Sequence, residues 1–141
     1  MKKKILIVLA DYYKDISNNL LSSALKNLPK VSQVKIINVP GVFEIPVTIS
    51  KNLNKFDAFI ALGCVIKGQT PHFDLICLST FNSILNLSTT FNKPISNGII
   101  TAFNIKQAKE RCGGIKSTKA NKGLEAANAV VSILKNGPKK I

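Results

Sequence analysis

Cysteine is scarce in this 141-residue chain: Cys64, Cys77 and Cys112 are the only three, an odd number without CxxC spacing. They offer neither a closed disulfide framework nor a zinc site, and they suit a reducing, cytoplasmic compartment. No apolar run reaches membrane-spanning length, so no membrane partner is expected. The start, Met1-Lys2-Lys3-Lys4 before Ile5-Leu6-Ile7-Val8-Leu9-Ala10, has the outline of a secretory leader, but Asp11, Tyr12, Tyr13 and Lys14 follow without a small-residue cleavage site. It reads as a first strand. Acidic residues are also few, seven against twenty Lys and Arg, which leaves a net charge of +13. A charge of that size raises nucleic-acid or membrane-surface binding. The lysines, however, run from Lys2 to Lys140, Arg111 is the single arginine, and no aromatic-basic recognition motif is present. The charge therefore reads as a solvated lysine surface with some attraction for anionic substrates, and no nucleic-acid partner is expected.

What is there is an alternation of apolar strands and amphipathic helices over residues 1–141, a length that fits one domain. Ile5 to Ala10 reads as a central strand. A helix follows with Ile16, Leu20, Ala24, Leu25 and Leu28 on one face, ended with the help of Pro29. Val31 to Val39 is the second strand. Pro40-Gly41 turns the chain into a helix over roughly Phe43 to Asn54, with Pro46 in its first turn. Phe56 to Ile66 is a third strand, continuous enough in apolar residues to be covered on both faces. A long helix comes next, then a fourth strand from Ile95 to Ala102 after Pro94, whose Gly98 admits a close neighbour. A shorter helix from Ile105 to Cys112 stops at Gly113-Gly114, and a last helix carries Ala127, Val130, Val131 and Leu134 on one face. Strands separated by helices require right-handed crossovers, so the expected fold is a flavodoxin-like α/β/α three-layer sandwich.

The densest stretch is Gly63 to Asp74, GCVIKGQTPHFD, which joins a strand end, a glycine-bracketed turn, a helix start and the only histidine. Thr70 is placed to cap the helix, with Pro71 at its first position and Asp74 in the first turn. Phe73, Ile76, Cys77, Thr80, Ile84 and Leu87 then form its apolar stripe. A loop at the carboxyl end of a parallel strand is where open α/β sheets bind ligands, and a helix amino terminus favours an anion. His72 supplies a group able to take or give a proton near neutrality.

GCVIKGQTPHFD resembles the signature of the lumazine synthase family, and further matches follow in order: PGVFEIP (Pro40–Pro46), NGIIT (Asn97–Thr101), QAKER (Gln107–Arg111) and NKGLEAA (Asn121–Ala127). The resemblance implies a four-stranded parallel sheet in the order 2-1-3-4. It also implies condensation of 5-amino-6-(ribitylamino)uracil with 3,4-dihydroxy-2-butanone 4-phosphate. The products are 6,7-dimethyl-8-ribityllumazine, phosphate and water. No cofactor or metal is implied, in keeping with a chain that has neither metal-ligand spacing nor a dinucleotide fingerprint. By the same resemblance His72 is the proton-transfer residue, and Gln69, Thr70, Arg111 and Lys122 hold the butanone phosphate. Tyr12, Val42, Phe43, Glu44, Cys64, Val65, Ile66 and Asn97 meet the pyrimidinedione and its ribityl chain. Cys64 contributes main chain rather than thiol chemistry. A non-catalytic phosphate- or flavin-binding module on the same fold is the alternative.

The chain departs from the family pattern at several positions. Asp11 stands where arginine is common, Lys67 replaces a frequent arginine, Gln69 is bulkier than usual, and Asn97 occupies a position often held by phenylalanine. Gly113 to Lys119 is a few residues longer than the shorter family version. The resemblance further implies that Asn97, Arg111 and Lys122 serve the neighbouring subunit of a homopentamer. With the first strand starting almost at Met1 and the insertion near Ile115, the expected assembly is an isolated pentamer or a small multiple rather than an icosahedral shell.

Overall fold

The computed structural model describes residues 2–114 and 120–141; positions 115–119 of the expected insertion lie outside the described residues. Four parallel strands, β1 (Lys4–Ala10), β2 (Gln33–Val39), β3 (Ala58–Ile66) and β4 (Ile95–Ala102), form one sheet in the order β2-β1-β3-β4. The helices are α1 (Lys14–Lys26), α2 (Ile45–Ser50), α3 (His72–Phe91), α4 (Ile105–Arg111) and α5 (Lys122–Lys135), with a 3-10 turn at Val42–Glu44.

Alternation along the two central strands divides the core. Ile5, Ile7, Leu9, Ile60 and Leu62 pack with Ile16 and Leu20 of α1, Ala108 of α4, and Ala126, Ala127 and Val130 of α5. Leu6, Val8, Ala10, Phe59 and Ala61 face the other way, onto Ile45 and Ile49 of α2 and Ile84 of α3. Parallel pairing sets Ile7 beside Ile36 on one side and Ile60 on the other. A strand buried on both faces has no polar side, which is why β1 and β3 read as continuous apolar runs. This is the three-layer α/β/α sandwich expected from the alternation.

Several boundaries differ from expectation for local reasons. The helix expected over Phe43–Asn54 is instead a 3-10 turn at Val42–Glu44, a short α2 at Ile45–Ser50, and turns to Lys55. Pro46 has no N–H to give the carbonyl four residues back, so the chain enters through a tighter turn, with the Glu44 N–H donating to the Gly41 carbonyl at 3.2 Å. β2 starts at Gln33 rather than Val31 because the turn after α1 continues: the Ser32 N–H donates to the Pro29 carbonyl at 3.0 Å, and Val31 is exposed. β3 begins at Ala58, two positions after Phe56. The first residue of α3 is His72, with Pro71 as its cap at φ −69 and ψ 3; Thr70 lies one residue too early for the cap assigned to it, and its hydroxyl accepts the His72 N–H at 3.5 Å. Leu25, expected on the buried face of α1, is 41% exposed.

Two glycines set how closely the layers approach. A Cβ on Gly98 of β4 would stand 2.5 Å from Leu62 Cδ2 and 2.9 Å from Ala126 Cβ. At Gly123 it would stand 2.4 Å from the Leu20 carbonyl oxygen, so the start of α5 lies directly on the α1 backbone. Backbone yields less readily than a side-chain tip, and alanine's better helix propensity returns under about 1 kcal/mol. We expect Gly123→Ala to lower unfolding free energy by about 1–3 kcal/mol in urea titrations. Gly137→Ala, where a Cβ meets nothing within 4 Å, serves as the neutral control.

Candidate active site

After β1 the chain passes into α1 on one face of the sheet, whereas after the adjacent β3 it passes into α3 on the other. Connections that part in this way leave a crevice beyond the carboxyl ends of the two strands. A cavity of about 470 Å³ occupies that position, lined by Tyr12, Tyr13, Gly41, Val42, Phe43, Glu44, Cys64, Val65, Ile66, His72 and Ile76. Its floor is tight: a Cβ on Gly63 would meet Val42 Cγ1 at 2.8 Å and Ala10 Cβ at 3.0 Å. Two aromatic side chains stand open to solvent at the site, Tyr12 at 74% exposure and Phe43 at 60%. Glu44 folds its carboxylate back, so that Oε1 lies 3.1 Å from where a Cβ on Gly41 would be. His72, exposed, begins α3 on the remaining side. An imidazole, a carboxylate and two aromatic faces around a mostly apolar crevice can hold a flat polar ring, bind hydroxyls and move protons.

A sequence model of the 6,7-dimethyl-8-ribityllumazine synthase family matches residues 2–136. The chain belongs to this family. It is 39% identical over 139 residues to the 6,7-dimethyl-8-ribityllumazine synthase of Campylobacter curvus, covering 94% of this chain and 87% of that protein. The protein of the same name from Buchnera aphidicola subsp. Baizongia pistaciae is 41% identical over 140 residues, covering 94% and 86%. That of Ruthia magnifica subsp. Calyptogena magnifica is 35% identical over 144 residues, covering 94% and 84%.

Set against the lumazine synthase motifs, the crevice gathers Tyr12, Val42, Phe43, Glu44, Cys64, Val65, Ile66 and His72. Gln69 and Thr70 are exposed on the loop leading to His72 and do not line it. Asn97, Arg111 and Lys122 are not brought to it either. Asn97 sits on the edge strand β4 beside Ala61, and its Oδ1 accepts the Ile99 N–H at 3.0 Å. Arg111 ends α4, donating from Nη1 to the Gln107 carbonyl at 3.0 Å and lying 3.6 Å from Glu110. Lys122 opens α5, 3.7 Å from Glu125. Both ion pairs are partly exposed and contribute about 0–1 kcal/mol, too little to withhold either cation from an anion. Of the departures, Lys67 places its ammonium 5.4 Å from the Phe103 ring centroid, and Asp11 accepts from Asn38 Nδ2 at 2.9 Å, so both have structural partners. Tyr13, Gly41 and Ile76 also line the crevice, although the sequence reading gave them no part in the site. The Tyr12-Tyr13 pair after an apolar strand was the available signal for the first of these.

Cys64 is buried at the crevice floor, and its thiol is pushed up to about 12, first by burial and then by the neighbouring Cys112 and Cys77. It is therefore protonated, hence a poor nucleophile, throughout the neutral range. Burial, then Cys64 and Tyr12, also raise the Tyr13 phenol above its usual value of 10.0. The sign for stability follows from proton counting. Above pH 9.0 the unfolded chain gives up the Cys64 proton while the folded chain keeps it, so stability present below pH 9.0 is lost as pH rises toward about 12. Iodoacetamide at pH 8 should modify native Cys64 at least about tenfold more slowly than the urea-unfolded chain, read by peptide mass spectrometry. Replacing Cys64 by Ala should flatten the alkaline part of the stability profile.

Proposed function

We propose that this chain condenses 5-amino-6-(ribitylamino)uracil with 3,4-dihydroxy-2-butanone 4-phosphate to give 6,7-dimethyl-8-ribityllumazine, phosphate and water, the penultimate step of riboflavin biosynthesis. The observation that carries this reading, beside family membership, is the crevice in which Tyr12, Phe43, Glu44 and His72 converge. The pyrimidine ring stacks against Tyr12, and the backbone of Cys64, Val65 and Ile66 reads its polar edge. Glu44 accepts from ribityl hydroxyls, while Val42 and Phe43 close the pocket. Gln69 and Thr70 receive the phosphate near the amino end of α3, where backbone N–H groups and the helix dipole favour an anion. The Arg111 guanidinium pairs with the same phosphate as a fork, and Lys122 adds a point charge.

The chemistry is imine formation between the uracil's amine and the butanone carbonyl, then elimination of phosphate, ring closure and loss of water. Each step moves a proton, and His72 is the group placed to accept and return it. Holding the two reactants together supplies much of the rate.

The site is shared between subunits of a homopentamer or a small multiple of it. Two features support this. Asn97, Arg111 and Lys122 do not reach the crevice of their own chain, as expected if they serve a neighbour's. In addition, Leu75, Leu78 and Leu85 recur on one face of α3 at 62%, 64% and 63% exposure, with Phe43 at 60% and Val47 at 58% on the adjoining segment. Apolar side chains grouped in this way mark an association surface. The enzyme works in the cytoplasm, in keeping with its free cysteines; no helix among the described residues is long and apolar enough to cross a membrane.

Mixing the protein with both substrates should yield lumazine fluorescence above the uncatalysed rate, and none would contradict the assignment. Arg111→Ala removes a charge-assisted contact worth about 1.5–3 kcal/mol, so KM for the butanone phosphate should rise roughly ten- to a hundredfold. His72→Ala should instead lower kcat by about ten- to a hundredfold, because positioning survives. An unchanged KM in Arg111→Ala would refute the phosphate role.

A further inference from the structure

Tyr13 is held more firmly than its position in a loop suggests. Its carbonyl accepts the Ser17 N–H at 2.9 Å, which fixes the backbone as the cap of α1. Its ring meets that of Tyr12 edge to face, with centroids 4.9 Å apart and planes at 79°. The ring also packs against the apolar core that contains Leu9, Ile16 and Cys64, so the side chain is half-buried and has little freedom to turn. One side of it lines the crevice next to Tyr12. Among the described residues no hydrogen bond is made by its phenol. Burial and the nearby Cys64 keep that phenol protonated, hence a donor, well into the alkaline range.

A fixed O–H donor of this kind is satisfied by water while the crevice is open. When a ligand displaces that water, the donor needs an acceptor on the ligand or its desolvation is uncompensated. Of the other groups lining the crevice, the Cys64 thiol is a weak acceptor, Val42, Val65 and Ile76 offer only hydrocarbon side chains, and the Glu44 carboxylate is turned toward Gly41. We propose that Tyr13 is a specificity-determining residue of the crevice, its phenolic hydroxyl donating a hydrogen bond to a carbonyl or hydroxyl oxygen of the ribityluracil substrate. This rests on the lumazine synthase reading. It adds a contact by which the site distinguishes a ligand carrying an oxygen there from one of the same shape without it.

The test is Tyr13→Phe, which removes the hydroxyl and keeps the ring and its edge contact. Equilibrium binding of the product, 6,7-dimethyl-8-ribityllumazine, is measured by fluorescence on the assembled protein, beside steady-state kinetics. The expected result is a roughly tenfold weaker product Kd and a similar rise in KM for the ribityluracil. KM for the butanone phosphate, kcat at saturation and the thermal midpoint should stay at wild-type values, a split that a purely structural role would not give. Unchanged Kd and ribityluracil KM would overturn the assignment of Tyr13, as would a change confined to the butanone phosphate. Wild-type protein that binds the product but makes none would contradict the enzyme reading alone, since Tyr13 is still tested by binding. Wild-type protein that does not bind the product would remove both.

Discussion

The structure depends on one constraint: two neighbouring parallel strands, β1 and β3, are buried on both faces and send their chains to opposite sides of the sheet. Burial on both faces demands helices above and below, and the apolar runs Ile5–Ala10 and Ala58–Leu62 leave no polar side to present to water. Once α1 covers one face and α3 the other, the ends of β1 and β3 cannot be roofed by either. An opening results there, and chemistry is placed around it by three short connections. The first brings Tyr12 and Tyr13, the second Val42, Phe43 and Glu44, and the third His72. A rigid scaffold holding functional groups on loops lets the site be precise although Tyr12, Phe43 and His72 are exposed.

The same architecture explains what the single chain lacks. Its crevice has rings, a carboxylate and an imidazole, whereas the fork suited to a phosphate lies on α4, beyond the edge strand β4. Among the described residues Arg111 meets its own helix carbonyl and a partly exposed glutamate, contacts weak enough to let it change partners. Exposed leucines on α3 offer a surface on which another copy can sit. In the proposed assembly, catalysis depends on association, because Arg111 serves the crevice of a neighbouring chain.

Much of this could be read in the sequence. The unbroken apolar run Ile5–Ala10 marked β1 within a residue, and the break at Pro94 marked the start of β4. The motif-bearing residues around the crevice could also be named, because each sits at a strand end or helix start with a recognisable turn. The misses were local. Pro46 removes a hydrogen bond to the carbonyl four residues back, so α2 shortened, and Pro71, with ψ 3, caps α3 instead of opening it. The stripe expected on α3 does meet the core, through Ile76, Thr80, Ile84 and Leu87, whereas the exposed face of Leu75, Leu78 and Leu85 was not singled out. Tyr13 was passed over because its importance lies in the half-buried position of its ring, which no spacing rule encodes.

The central claim is that a working site needs two chains, one giving His72 and the other Arg111. Its most direct test is complementation: His72→Ala and Arg111→Ala chains are unfolded together, reassembled as mixed oligomers and assayed at low butanone phosphate concentration. The account predicts that the mixture recovers activity well above either variant alone, approaching roughly a quarter of wild type for random pairing around a ring of heterologous contacts. Activity in the mixture no greater than the average of the two variants would mean that both residues act within one chain, and the account would fail.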